Sequence, residues 1–413
     1  MGLSMNIWLI RDLEPLPTDP GDRRLMRAGM LAQALARRGH RTIWFTSSFD
    51  HYLKQQRAEA DETLTPEGNL TIEVLRGPGY ARNIGLDRIA HNRTFARRWA
   101  QKAAGYPIRP DLLITDVPTT EAADAVIAFG KANAIPTVLS IRDLWPDFFV
   151  DYLPRVLRPL ARPFVAPLDR QVRRAASGAT SLIGISESYL SWGQRKGGRL
   201  SNPLDRVFEL GYAARPRPSE SSIAATRASM GLGDRHVVSF VGSWGHTYDL
   251  GLVLDAARQL AHRADLVFVV AGDKDSQPAL RDQLAGLPNV VLPGWLGADD
   301  IAALLGATAI GLLPYQAKAP QSLPNKVFEY MAYGAYGLAS LKGDIETFYE
   351  STKAGRAVGA DLATAIPGAL EAALDPAGRA DRIARFDVQY SADAIYGAMV
   401  DHIERVAAQY TSA

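Results

Sequence analysis

The chain has 413 residues, 47% hydrophobic and 22% charged, too long for one ordinary core and fitting a globular protein of two domains. Its 46 Lys and Arg stand against 44 Asp and Glu, a net charge of +2, so no global imbalance points to nucleic acid. There is no cysteine, which excludes disulfides, thiolate metal sites and a cysteine nucleophile.

The seven histidines form no H-x3-H or H-E-x-x-H pair, so no zinc site is expected. No run of about 18 apolar residues occurs, so no membrane-spanning helix is expected. No basic segment or cleavable signal opens the sequence, and a cytoplasmic protein is the expectation.

Apolar runs alternate with helical patterns throughout, the signature of βα units and parallel sheets. Strands are predicted at 5–10, 42–46, 71–75, 112–115, 136–141 and 181–185, with a helix from about Asp22 to Arg37 closed by Gly39. A Pro/Ser-rich stretch at 212–222 has no periodicity and reads as a linker. Beyond it, strands are predicted at 236–241, 266–271, 289–292, 308–313 and 336–340, with helices at 249–262, 299–306 and 325–333. A last amphipathic helix, about 392–408, closes the sequence. The domains expected are 1–211 and 223–390, with 391–413 packing back on the first. Two doubly wound units place a cleft between the carboxyl ends of both sheets, so function is sought in the loops after strands.

The loop after the first strand, Arg11 to Arg24, lacks a G-x-G-x-x-G fingerprint, which argues against a dinucleotide cofactor. Gly21 precedes the predicted helix, and Arg23 and Arg24 suit either an anion or a solvated helix start. After the strand at 136–141 come Arg142, Asp143 and Asp147. A carboxylate there suits proton acceptance or an acceptor hydroxyl; an Asp–Arg pair holding the loop is the plainer account. Two stretches are basic, 82–109 and 155–174, with Pro159, Pro163 and Pro167 interrupting the second. Each suits an anionic membrane surface or lipid diphosphate as well as a solvated helix face.

After the strand at 236–241, Gly242-Ser243-Trp244-Gly245-His246-Thr247-Tyr248 leads to Asp249, read as a helix N-cap. Gly294-Trp295-Leu296 follows the strand at 289–292; the backbone near Leu296 is the expected base contact, the Trp295 indole more plainly a packing group. The most informative segment is Ser322-Leu323-Pro324-Asn325-Lys326-Val327-Phe328-Glu329-Tyr330-Met331-Ala332-Tyr333-Gly334. It reads as a helix with Ser322 near its cap and a Pro in its first turn. Free N–H groups and the dipole suit a phosphate. Lys326 and Glu329 fall on one face, a cation for phosphate and a carboxylate for ribose hydroxyls; an ordinary surface pair is the alternative.

These residues resemble retaining glycosyltransferases of family 4, especially members that build bacterial surface polysaccharides. Pro20 to Arg23 through Gly39-His40 is similar to the family's first loop, helix and turn, and Arg142-Asp143-Leu144-Trp145-Pro146 to an R-D-L-W-P motif of one branch. Ile185-Ser186-Glu187, Gly294-Trp295-Leu296 and the segment from Ser322 to Gly334 match further positions. The resemblance implies a GT-B fold, two Rossmann-like domains facing each other across a cleft. It implies a nucleotide sugar, UDP-linked in preference to GDP-linked, bound by Gly242, Ser243, Trp244, His246, Leu296, Gln321, Ser322, Leu323, Pro324, Asn325, Lys326 and Glu329. Glu329 would hold the ribose and the Leu323–Asn325 amides the diphosphate. Gly21, Arg23, Arg24, Arg142 and Asp143 would meet a lipid-linked saccharide at the inner membrane surface, with Asp143 and Lys326 catalytic. No metal or other cofactor is implied.

Two departures stand out. Gln321 replaces the first Glu of the family's E-x7-E pattern, and Ser243, Trp244 and Tyr248 occupy the region of its usual Arg and Lys. A degenerate nucleotide- or glycan-binding subunit of an assembly complex is therefore the alternative, and a nucleotide-sugar epimerase of the same architecture a third reading.

Overall fold

The computed structural model describes residues 4–411 apart from Asp22, Glu67, Tyr152, His246, Pro320 and Gln321, and without the side chains of Lys274 and Thr411. It divides into two compact units, one running up to Leu210 and resuming from Ile395, the other Gly211–Ala394.

The first unit holds β1 (Asn6–Ile10), β2 (Arg41–Ser47), β3 (Phe49–Asp50), β4 (Gln55–Gln56), β5 (Glu62–Leu64), β6 (Leu70–Leu75), β7 (Leu112–Val117), β8 (Thr137–Ile141), β9 (Ser181–Gly184) and β10 (Arg206–Val207). Eight of these form one sheet in the order β10-β9-β8-β7-β1-β2-β6-β5, while β3 and β4 form a separate hairpin. All pairs in the sheet are parallel except β5 with β6. Helices on both faces explain why the central strands are buried along nearly their whole length and read as apolar runs. Chain order reverses between the neighbours β1 and β7, so their carboxyl ends open a crevice. The final helix, Ala392–Thr411, returns most of its length to this unit, where His402 Nε2 lies 3.1 Å from Ser181 Oγ.

The second unit holds β11 (His236–Val241), β12 (Leu266–Ala271), β13 (Val290–Gly294), β14 (Thr308–Leu313), β15 (Tyr336–Ala339) and β16 (Gly355–Ala357). They form one parallel sheet, β13-β12-β11-β14-β15-β16. Here the order reverses between β11 and β14. The loop after β11 and the segment after β14 are therefore neighbours at the crevice.

Several helix limits differ from the sequence reading. The first helix starts at Arg27 rather than near residue 22, after an extended Met26. Arg23 is held in the preceding loop by Asp19 and Asp50, which delays the helix. Asp249 is not an N-cap: its N–H is donated to Pro314 O, tying it to the β14 loop, and the helix Gly251–Gln259 begins after Leu250. Ser322 is not the cap of the helix Asn325–Ala332 either; extended Pro324 holds that place and offers no side-chain acceptor. The stretch 212–222 is partly structured, with a helix over Glu220–Ser229 capped by Ser219 Oγ on Ser222 N at 3.2 Å. The helix Arg158–Gly178 continues through Pro163 and Pro167, although each removes one hydrogen bond of the ladder and crowds the carbonyl four residues before it.

Candidate active site

The helix Asn325–Ala332 is amphipathic, and its buried face places Tyr330 beneath the sheet end, its hydroxyl 3.0 Å from Leu312 O and 3.2 Å from Ser239 O. That anchor spans β11 and β14 and fixes how Lys326 and Glu329 project. Lys326 is 8% exposed, and its ammonium donates to Val241 O at the end of β11. Nζ also lies 3.7 Å from Glu329 Oε2, 5.2 Å from the Phe240 ring centre and 5.7 Å from that of Tyr248. Glu329 Oε1 accepts from the Tyr212 hydroxyl at 3.2 Å. The pair is thus a positioned cation and carboxylate, each with a polar partner, the lysine buried and the glutamate half-buried.

Glycines end three adjacent strands of this sheet. Gly242 N donates to Ala271 O at 3.1 Å, and Gly272 N to Gly294 O at 2.9 Å. A Cβ on Gly242 would stand 2.8 Å from Lys326 Nζ, and one on Gly272 would stand 1.8 Å from Gly242 O. The absent side chains let two backbone turns and an ammonium share one small space. Gly242, Lys326 and Glu329 are therefore brought together, and the Gly294 turn carrying Leu296 abuts Gly272. Ser243 and Asn325 are exposed, Ser322 and Leu296 half-buried, and Leu323 and Pro324 buried. His246 and Gln321 lie outside the described residues.

Trp244 departs from the expectation of a donor contact. Its side chain is 2% exposed and belongs to the core around Phe240, Leu250 and Val253, while its carbonyl accepts from Gln277 Nε2 at 2.7 Å. A large indole beside a strand end gains more from burial than from solvent. Trp295 is the exposed indole, at 75%. Residues that sequence reasoning missed are Tyr212 and Tyr315. The Tyr315 hydroxyl lies 3.3 Å from that of Tyr248, and burial raises its pKa.

In the first unit, the loops after β1 and β8 meet the end of β7. Glu14 Oε2 accepts Ala28 N at 2.7 Å, capping the helix Arg27–Arg37, and Glu14 Oε1 lies 3.4 Å from Arg11 Nε. Arg142 pairs with Glu14 and, at 2.9 Å, with Asp116. Burial pushes the Glu14 carboxyl up, but Arg142 and Arg11 outweigh it and hold it below the usual carboxylate range. Arg142 is therefore a neutralised structural cation, as the plainer Asp–Arg account allowed, although its partners are Glu14 and Asp116 rather than Asp143. Arg23 is likewise matched by Asp50 and Asp19, and lies in a different network with Arg57. Gly21 turns at φ 84° with open space around it, and Arg24 is exposed.

Asp143 is half-buried, and burial raises its pKa; its Oδ1 accepts Leu144 N at 2.8 Å. Near it, the Arg88 guanidinium lies 4.4 Å over Trp145 and 5.6 Å over Tyr80. His51 Nδ1 lies 2.5 Å from the Tyr80 hydroxyl, and burial, then Lys54 and Arg88, lowers the His51 pKa to about 4. Arg88, Tyr80 and His51 were not foreseen. The only signal for Arg88 was its place in a basic stretch.

Comparison with known proteins places these observations. Residues 235–375 match the family described as Glycosyl transferases group 1, and residues 27–196 match Glycosyltransferase Family 4. The comparison with curated proteins found no match. Among solved structures, Anabaena HepE in complex with UDP is 17% identical with a TM-score of 0.66, covering 97% of this chain and 100% of that one. Sucrose-phosphate synthase from Thermosynechococcus elongatus is 16% identical with a TM-score of 0.67, covering 98% and 100%. WaaG, a glycosyltransferase involved in lipopolysaccharide biosynthesis, is 15% identical with a TM-score of 0.63, covering 97% and 99%. At these identities the structures speak for the fold, and the matched domains speak for the family. With two doubly wound units of GT-B type and a glycosyltransferase domain matched in each, the chain belongs to the glycosyltransferases.

Proposed function

We propose that this glycosyltransferase takes a sugar from a nucleotide-sugar donor, UDP-linked in preference to GDP-linked, and transfers it with retention to a lipid-linked saccharide in bacterial surface polysaccharide synthesis. The observation that carries the donor half is the Lys326–Glu329 pair beside the Gly242 turn. An ammonium held at a strand end suits a diphosphate, the carboxylate suits ribose hydroxyls, and the start of the helix Asn325–Ala332 supplies free N–H groups. HepE, described in complex with UDP and with UDP-glucose, supports the choice of base.

The donor diphosphate leaves on charge supplied by Lys326 and the helix start, without a metal. Asp143 receives the acceptor hydroxyl, delivered on the face from which the diphosphate departs, so that no protein nucleophile is needed. The raised pKa of Asp143 suits a group that exchanges a proton nearer neutrality than an ordinary carboxylate does. The enzyme acts in the cytoplasm at the inner membrane face; no helix among the described residues is long and apolar enough to cross a membrane. Gln321, in place of an expected carboxylate, favours a second reading, a subunit that binds nucleotide or glycan without turnover.

Calorimetric titration with UDP, GDP and their sugars, with and without EDTA, tests the donor half, followed by transfer to lipid-linked acceptors. Metal-insensitive binding of a UDP-sugar with transfer supports the enzyme. Binding without transfer to any lipid-linked acceptor, together with a stable protein partner on pull-down, supports the subunit.

A further inference from the structure

The helix Arg158–Gly178 divides into two halves of opposite character. Leu168, Val172, Ala175 and Ala176 in its later turns are buried in the first unit. The first turns and the residues just before them are turned outward: Val156 is 80% exposed, Leu160 68% and Phe164 86%. Leu160 and Phe164 sit one turn apart on one face, and Val156 stands one turn ahead of them. Large apolar side chains this exposed and this close together are unusual on a soluble surface and mark a contact site.

The charge around them identifies the partner. From Arg155 to Leu168 there are three arginines, Arg155, Arg158 and Arg162, and no Asp or Glu. Arg158 is tied back to Asp151 at 3.1 Å, whereas Arg155 and Arg162 reach no carboxylate among the described residues. The other basic stretch differs. Arg88 is stacked on Trp145, Arg98 pairs with Asp61 at 2.9 Å and Lys102 with Glu73 at 2.6 Å, so part of its charge is matched internally. Apolar side chains standing out among unmatched arginines fit an interface that is hydrocarbon below and anionic above.

We infer that residues 155–164 dock this enzyme on an anionic lipid bilayer, with Val156, Leu160 and Phe164 entering the acyl boundary and Arg155 and Arg162 meeting lipid phosphates. This deepens the lipid-linked acceptor reading by naming the surface that holds the enzyme where such an acceptor lies. Vesicle binding needs neither donor nor turnover, so a failure here leaves the transfer reading to its own test.

The experiment is vesicle flotation of the full chain with phosphatidylcholine alone and with about 30% phosphatidylglycerol added. The wild type is expected to bind the anionic vesicles at least about 10-fold better. Leu160→Ser/Phe164→Ser is expected to lose at least about 10-fold of that binding, and Arg155→Gln/Arg162→Gln about 20-fold. All four side chains are solvent-facing, so Tm and UDP affinity should stay at wild-type values. Leu200→Ser, which removes a single exposed apolar residue elsewhere, should bind as wild type does. Absent binding by the wild type, or unchanged binding by both double variants, overturns the inference. So does a concentration-dependent dimer in sedimentation velocity that Leu160→Ser/Phe164→Ser abolishes, which would assign the patch to a second copy of the chain.

Discussion

Lys326 Nζ and Glu329 Oε2 lie 3.7 Å apart on one face of the helix Asn325–Ala332, and neither spends its whole charge on the other. The ammonium also donates to Val241 O, and the carboxylate also accepts from Tyr212. Each group is thus positioned by a second partner while keeping capacity for a ligand. A surface ion pair held only by itself would gain little.

Lys326→Met keeps the buried stem and removes the charge; Glu329→Gln keeps an acceptor for Tyr212 and removes the anion. Hydrogen bonds to charged groups contribute about 1.5–3 kcal/mol, so each variant should lose roughly 10- to 100-fold in UDP affinity by calorimetry. Lys326→Ala would also leave a cavity beside Phe240, which makes Met the cleaner probe. Wild-type affinity in both variants would return the pair to a packing role.

The neighbouring glycines should separate stability from binding. A Cβ on Gly272 meets backbone, Gly242 O at 1.8 Å, so Gly272→Ala should destabilise the unit by about 2–4 kcal/mol in urea unfolding. A Cβ on Gly242 meets only the flexible end of Lys326 at 2.8 Å. Gly242 also has a φ of 156°, which a side chain rarely adopts, so Gly242→Ala should cost some stability but less than Gly272→Ala, push the ammonium off Val241 O and weaken UDP binding.

The inner strands of both sheets were legible because buried parallel strands read as apolar runs; Leu266 to Ala271 is such a run and is a strand over those residues, whereas the short edge strands β5, β10 and β16 carry no such run and were not foreseen. Helix starts were less so. Asp249 has the residue type of a cap, but its backbone is committed to Pro314, a contact made across 65 positions that no local pattern contains. The Lys326–Glu329 pair was readable from one helical turn of sequence. The Glu14–Arg142–Asp116 network was not, since its members come from three strand ends that only the sheet order makes neighbours. Trp244 was misjudged because its loop position says nothing of which way an indole turns.

Arg142 gives the sharpest stability prediction. Arg142→Met leaves Glu14 and Asp116 buried without their main cation, a change that typically costs about 3–5 kcal/mol. Burial alone pushes the Glu14 carboxyl up, so without Arg142 it takes a proton more readily, and that would relieve part of the penalty. The deficit relative to wild type should therefore shrink as pH falls from 7 towards 5, measured by urea unfolding at each pH. A deficit independent of pH would mean that packing, not charge, is what Arg142 supplies.

Asp143 should reveal itself in a pH–rate profile rather than in binding. Burial raises its pKa, so the group that accepts a proton is lost as pH falls through a value above the usual 3.8. Transfer should drop on that acid limb, while UDP affinity stays level. Asp143→Asn should transfer poorly at every pH, without the limb, and bind UDP as wild type does. If the substitution abolished nucleotide binding instead, the assignment of acceptor chemistry to the first unit would be wrong.

His402 links the final helix to acid stability. Burial, then Arg405 and Arg206, lowers its pKa to about 4, with Asp205 and the Leu204 backbone acting in the opposite direction. Its Nε2 lies 3.1 Å from Ser181 Oγ, and Nδ1 is buried without a partner, so a second proton has no acceptor waiting. The unfolded chain takes that proton near pH 6.5. Between pH 6.5 and about 4 the unfolded state therefore binds more protons than the folded one, and stability falls as pH falls. Above pH 6.5 the contribution is fully present; below about 4 the loss is complete. His51, with the same lowered value, adds to the slope. His402→Gln should flatten the wild-type dependence of urea midpoint on pH across this window, whatever it does to the midpoint at pH 7. An unchanged slope would show that His402 titrates in the folded chain as it does in water.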